Sequence, residues 1–125
     1  MEQIQENKID FSSLCLRSKL KDYIILTSYS KNIRIEPEEI DRIINEHLKK
    51  YQWKTVEKVL PKKVIIPKWG EQWFSEEVII ETDKGWIEDA SYDYEHNEWI
   101  CRINGEDAIV KQWIEFPEID YNNYK

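Results

Sequence analysis

With 125 residues, 41% of them apolar and 34% charged, the chain is long enough for one domain with a real core and too short for two. Six Trp and seven Tyr supply large rings to bury, which argues against a disordered chain, and three Gly exclude a long glycine-rich phosphate loop. The net charge of −7 is unevenly placed: residues 1–70 carry 14 Lys/Arg against 10 Asp/Glu, and residues 71–125 carry 4 against 15.

Residues 1–10 read as a frayed polar tail with Glu2, Glu6 and Asp10. They lack the basic start and apolar stretch of a signal peptide, and no run approaches the roughly 20 apolar residues that span a bilayer. The expectation is a protein of the host-cell cytoplasm with no membrane partner. In that reducing setting Cys15 and Cys101 are expected to be free, mostly buried thiols, and no Cys/His spacing offers a zinc site.

Residues 11–30 fit two patterns. Tyr23-Ile24-Ile25-Leu26-Thr27 is β-branched and aromatic, which favours a strand at about Tyr23–Ser28 fed by a short helix or loop. Leu16, Leu20, Tyr23, Ile24 and Thr27 also fit one face of a helix. The first reading is preferred, with Ile33-Arg34-Ile35 as a second short strand. The clearest element follows. Pro37 suits a first helical turn, Glu38 and Glu39 favour the positive helix end, and Ile40, Ile43, Ile44, His47, Leu48 and Tyr51 recur at spacings of three and four. The spacing predicts an amphipathic helix over 37–52.

From Trp53 the period changes to two. Val64-Ile65-Ile66 and Val78-Ile79-Ile80 read as strands, Asp83-Lys84-Gly85 as a turn, and Trp86 to Tyr94 as a loosely alternating strand. Glu95-His96-Asn97-Glu98 is a polar turn, Trp99 to Ile103 a strand, Asn104-Gly105 a tight hairpin turn, and Ala108 to Phe116 the last strand. The predicted fold is α+β: one amphipathic helix packed on an antiparallel β-meander that can curl into a small SH3-like barrel. It forms a single domain over 1–125, with an N-terminal strand/helix part (1–52), a β-rich part (53–118) and a loose tail (119–125).

The second part resembles the phage and prophage family known as domain of unknown function 551. The residues that carry the likeness are Trp53 through Leu60-Pro61, the strand and turn Val78 to Gly85, Ala90-Ser91-Tyr92, Trp99, and the closing Gln112-Trp113-Ile114-Glu115-Phe116-Pro117. Two features depart from the family pattern: the stretch Lys62 to Glu77 is longer, and Gln112 stands where the family often has His. The resemblance implies a phage origin and an accessory gene, with no activity to inherit.

The inventory for chemistry is meagre. His47 falls on the helix stripe and His96 in a polar turn, and neither has a neighbouring nucleophile. The carboxylate clusters lack the spacing of a calcium loop, and adjacent acids on a strand face opposite ways. No catalytic residue, cofactor or metal is assigned. What remains is surface. Trp69, Trp73 and Phe74 lie in the long stretch around Gly70, where rings are hard to bury, and Glu88, Asp89, Asp93, Tyr94 and Glu95 form an acidic, aromatic segment. These eight residues are the candidate partner-binding set. Trp53, Trp86, Trp99 and Trp113 sit in regular elements, and most of them are assigned to the core.

An acidic surface disfavours direct nucleic-acid binding and fits a host protein with a basic face, such as a nucleic-acid-binding effector. The expected function is a small phage-type accessory protein that binds and inhibits a host protein, an anti-CRISPR or other anti-defence inhibitor. The alternative is a sponge for a nucleotide signal, with a base stacked on Trp69, Trp73 or Tyr94 and phosphate held by Lys62, Lys63 or Arg102. A structural or interaction protein, including one that forms a homo-oligomer, is the third reading.

Overall fold

The computed structural model describes residues 11–101 and 108–124. Two helices come first, α1 (Phe11–Ser30) and α2 (Pro37–Lys50). Seven strands follow: β1 (Lys54–Thr55), β2 (Lys63–Ile66), β3 (Gly70–Ser75), β4 (Val78–Thr82), β5 (Ile87–Asp93), β6 (Glu98–Cys101) and β7 (Val110–Ile114). A 3₁₀ turn spans Tyr121–Tyr124.

Residues 11–30 form one continuous helix, so the strand expected at Tyr23–Ser28 does not exist. The helical stripe wins over β propensity because tertiary burial is available to it. Leu16, Leu20 and Ile24, four residues apart, pack fully into the core. The helix stops at a Schellman turn: Ile33 N–H donates to Ser28 O at 2.9 Å, Asn32 N–H donates to Tyr29 O at 3.0 Å, and Asn32 takes φ +57°. That turn delivers Ile33 and Ile35 to the same core as extended but unpaired residues, so the second short strand is also absent.

The helix predicted over 37–52 is α2, two residues shorter. It buries Ile40, Ile43, Ile44 and His47. Arg42 on its outer side reaches Glu39 and Glu46, one turn away in each direction.

The strands pair antiparallel in the order β1-β7-β4-β5-β3-β2, with β6 added to β5, and the sheet curls into an open half-barrel under the helices. The α+β prediction therefore holds, with two helices on the sheet instead of one. The run Val78-Ile79-Ile80 is apolar throughout because β4 is covered on both faces. Ile79 joins Ile114 and the helices in one core. Val78 and Ile80 join Ala90, Val110 and Trp113 in a second core inside the curl.

Trp113 is buried there and donates its indole N–H to Val59 O at 2.9 Å, while Trp99 packs at the edge. Trp53 packs against the helix-side core, so most of the four are core as expected, with Trp86 the exposed exception. Cys15, expected to be buried, is exposed on α1, and Cys101 is half-buried. The Asn104-Gly105 turn lies outside the described residues. Residues 119–124, expected to be loose, are docked: Ile119, Tyr121 and Tyr124 pack on the helix-side core. The Tyr121 hydroxyl meets Thr27, and Arg42 and the Tyr124 hydroxyl hold the Glu39 carboxyl down at about 2.

The docking of α1 sets a first expectation. Leu20→Ala should cost about 2–5 kcal/mol in chemical denaturation, because a side chain with no exposed surface leaves a cavity. Leu26→Ala, on the outer side of the same helix, should stay within about 0.5 kcal/mol of the parent.

Candidate interaction surface

The strands β3 and β4 run along the same side of β5 in nearly one register: Phe74 pairs with Asp93, and Val78 pairs with Ala90. They are one long strand broken at Ser75–Glu77. At the break Ser75 is buried, and its hydroxyl accepts the Tyr92 N–H at 2.8 Å in place of a backbone carbonyl. Beyond it, β3 leaves the end of the sheet and folds back on β2 as a two-stranded arm.

The arm's turn follows from its sequence. Pro67 opens it, Trp69 N–H donates to Ile66 O at 2.9 Å, and Gly70 takes φ +78°, a conformation that L side chains rarely adopt. The tip therefore points Trp69 into solvent, 77% exposed. Ile65 (68%) and Trp73 (48%) are also exposed, and Ile66 is partly so. Phe74 is less exposed than Trp73 and meets the Trp73 ring edge-on at 4.9 Å.

The turn between β5 and β6 lies against the base of the arm. Tyr94 N–H donates to Trp73 O at 2.8 Å, its hydroxyl donates to Pro61 O, and Lys63 Nζ sits 5.0 Å from the centre of its ring. Tyr94 thus fastens the arm to the body. Asp93 organises the turn: one carboxylate oxygen accepts the N–H groups of Glu95 (2.9 Å) and His96 (3.1 Å), and the other accepts His96 Nδ1 at 2.7 Å. Burial pushes the Asp93 pKa up, but these hydrogen bonds outweigh it and leave it lowered. The same bond raises the His96 pKa. Asp93, Glu95 and His96 place three ligand-type atoms within 4.8 Å of one another, yet both Asp93 oxygens are engaged in the turn, leaving Glu95 as the open carboxylate.

The structure therefore gathers Trp69, Trp73, Phe74, Tyr94 and Glu95 into one region, as the sequence reading grouped them. Glu88, Asp89 and Asp93 take other roles. Asp93 is an internal cap, Asp89 is in an ion pair with Lys19 of α1, and Glu88 is buried at 7% exposure. Of the residues expected to hold phosphate, Lys62 is exposed, Lys63 covers Tyr94, and Arg102 lies outside the described residues. Ile65 and Ile66 were read as ordinary strand residues. The signal that separates them is the flanking Lys62-Lys63 and Pro67, which blunt a sheet edge.

No helix among the described residues is long and apolar enough to cross a membrane. Comparison of the chain with protein-family models, curated proteins and solved structures finds no match.

The buried Glu88 gives a pH expectation. Its folded pKa is raised, first by burial and then, against the partial relief of Lys19, by Asp89. A raised carboxyl pKa means that stability falls as pH climbs from the unfolded value to the folded one, and stays lower above it. Glu88→Gln should therefore raise the melting temperature at pH 7 and leave it nearly unchanged at pH 3.5, read by thermal denaturation at the two pH values.

Proposed function

We propose that the chain is a non-enzymatic, phage-type accessory protein that binds and inhibits a host protein, of the anti-CRISPR or other anti-defence kind, with the β2–β3 arm as its anchor. The observation that carries this reading is the exposure of Trp69, Trp73 and Ile65 on an arm whose backbone is pinned to the body at its base. Two large rings on a braced hairpin lose little freedom on binding, and rings of this kind are the usual energetic centres of protein interfaces. Glu95 and Glu98 on the adjoining turn are exposed carboxylates at the rim, suited to a basic partner face and to steering it in solution. The likeness to the phage family adds the biological setting.

The test is a low-salt pull-down from bacterial host lysate with the parent and with Trp69→Ala/Trp73→Ala. A partner retained by the parent should be lost, or weakened by about 2 kcal/mol (roughly 30-fold), in the variant. Glu95→Lys/Glu98→Lys should chiefly slow association and flatten its salt dependence. Retention of nothing by the parent, or equal retention by the folded Trp variant, removes the arm from the function.

A further inference from the structure

The side of α1 turned away from the core is nearly as apolar as the side turned into it. Leu16, Leu20 and Ile24 are buried, while Leu14, Ile25, Leu26 (67% exposed) and Tyr29 (80%) face solvent. A single apolar side chain at a surface is ordinary, but a helix apolar all round is the pattern of a helix covered all round. The fold supplies a cover on one side. On the other, Leu14, Ser18, Asp22, Ile25 and Tyr29 follow one another at spacings of three and four, as in a seam between helices. None of these residues belongs to the arm.

The charges on this side identify the second cover. Lys21 and Asp22 lie midway between Leu14 and Tyr29. Both are exposed, and neither has an ion-pair partner among the described residues. A second α1 can be laid antiparallel, with Leu14 of one copy level with Tyr29 of the other. Ser18 then stands level with Ile25 and Lys21 with Asp22, each pair occurring twice by symmetry. Opposite charges meet at the two-fold axis. A parallel, in-register pair would set Asp22 on Asp22 and Lys21 on Lys21. The stripe is therefore self-complementary when antiparallel and self-repelling when parallel.

One flank of the helix repeats the fit in shape. Cys15, Lys19, Asp22 and Leu26 form one row of α1. The first three line an open hollow of about 540 Å³ between the helix and Trp86, which is exposed. A two-fold axis perpendicular to the helices keeps this flank on the same side in both copies. It sets Leu26 of each copy level with Arg17 of the other, at the mouth of that hollow.

We propose that the outer side of α1 is the interface of a homodimer, in which two α1 helices pack antiparallel about Lys21 and Asp22 and each Leu26 seats beside Trp86 of the other copy. The dimer leaves one arm on each chain, and its existence does not depend on what the arm binds.

The experiment is sedimentation equilibrium of the full chain at low salt, from about 5 to 500 μM, a range that brackets a micromolar interface. The parent should follow a monomer–dimer equilibrium. Leu26→Ala/Tyr29→Ala should weaken it by about tenfold or more. Both side chains point out of the fold, so the far-UV circular dichroism of dilute protein should not change. Lys21→Asp and Asp22→Lys each place like charges at the axis, and each should weaken self-association by about tenfold. Mixing these two variants should restore a dimer, because each supplies the charge that the other lacks. A parent that stays monomeric throughout overturns the proposal. So does a dimer that survives Leu26→Ala/Tyr29→Ala, or one lost instead in Trp69→Ala/Trp73→Ala. A mixture that stays dissociated overturns the antiparallel arrangement, and with it the choice of a second copy as the partner.

Discussion

The whole molecule hangs on the burial of β4 from both sides. Ile79 faces the helices and Val78 and Ile80 face the curl, so a single short strand belongs to two cores at once. This arrangement requires a layer on each side. The helices α1 and α2 supply one, with Leu20, Ile24 and Ile44 reaching down to Ile79 and Ile114. The sheet supplies the other by bending until Trp113, Val56 and Trp99 close over Val78, Ile80 and Ala90. A flat sheet would leave the second set in water, and burying a large aliphatic side chain is worth about 1.5–3 kcal/mol, so the curl is an energetic necessity for this sequence.

The same constraint explains the arm. A strand that starts in register on β5 beside Asp93 cannot continue straight into β4, because the register differs by one residue on the two sides of Ser75. The break resolves the mismatch, with the Ser75 hydroxyl replacing the missing ladder bond to Tyr92. β2 and most of β3, next to the break, are then freed from the two-core body. Ile65, Trp69 and Trp73 have no layer to pack under, and they stay at the surface as a consequence of how β4 is built.

These causes account for what the sequence does and does not disclose. The helix at 37–52 was legible because its period repeats over several turns, and the strand around Val78 because its short unbroken apolar run, bounded by a turn signal, marks a strand covered on both faces. The segment 11–30 was not, because apolar side chains stand all round α1: Leu16, Leu20 and Ile24 inside, Leu14, Ile25, Leu26 and Tyr29 outside. Periodicity separates helix from strand only where the two faces differ, and here they do not. The candidate surface was legible in its aromatic half, since Trp69 and Trp73 sit beside Gly70 and Pro67, which are poor company for a core. Its acidic half was misread at Glu88, Asp89 and Asp93. Local sequence marks a carboxylate as charged, while its use as a cap or an ion-pair partner depends on residues far away in the chain, such as Lys19.

That last point changes the meaning of the charge asymmetry. An excess of cations before residue 70 and of acids after it looks like a polar surface awaiting a partner. Inside the fold, part of it is already answered by pairs that cross the chain: Lys19 with Asp89, and Lys54 with Glu115 at 2.6 Å. Each ties an element of the first part to a strand or strand end of the second, so the imbalance works first as docking chemistry between the two parts. Such half-exposed pairs contribute modestly to stability, on the order of 0–1 kcal/mol, but they oppose wrong registers of helix on sheet, where like charges would meet. Many charges still face solvent, and around the arm they are of both signs: Lys62, Lys68 and Glu71 on the arm, Glu76 and Glu77 at the break, and Glu95 and Glu98 beside it. The field at the candidate surface is accordingly set by this local mixture, which the net charge of −7 does not describe.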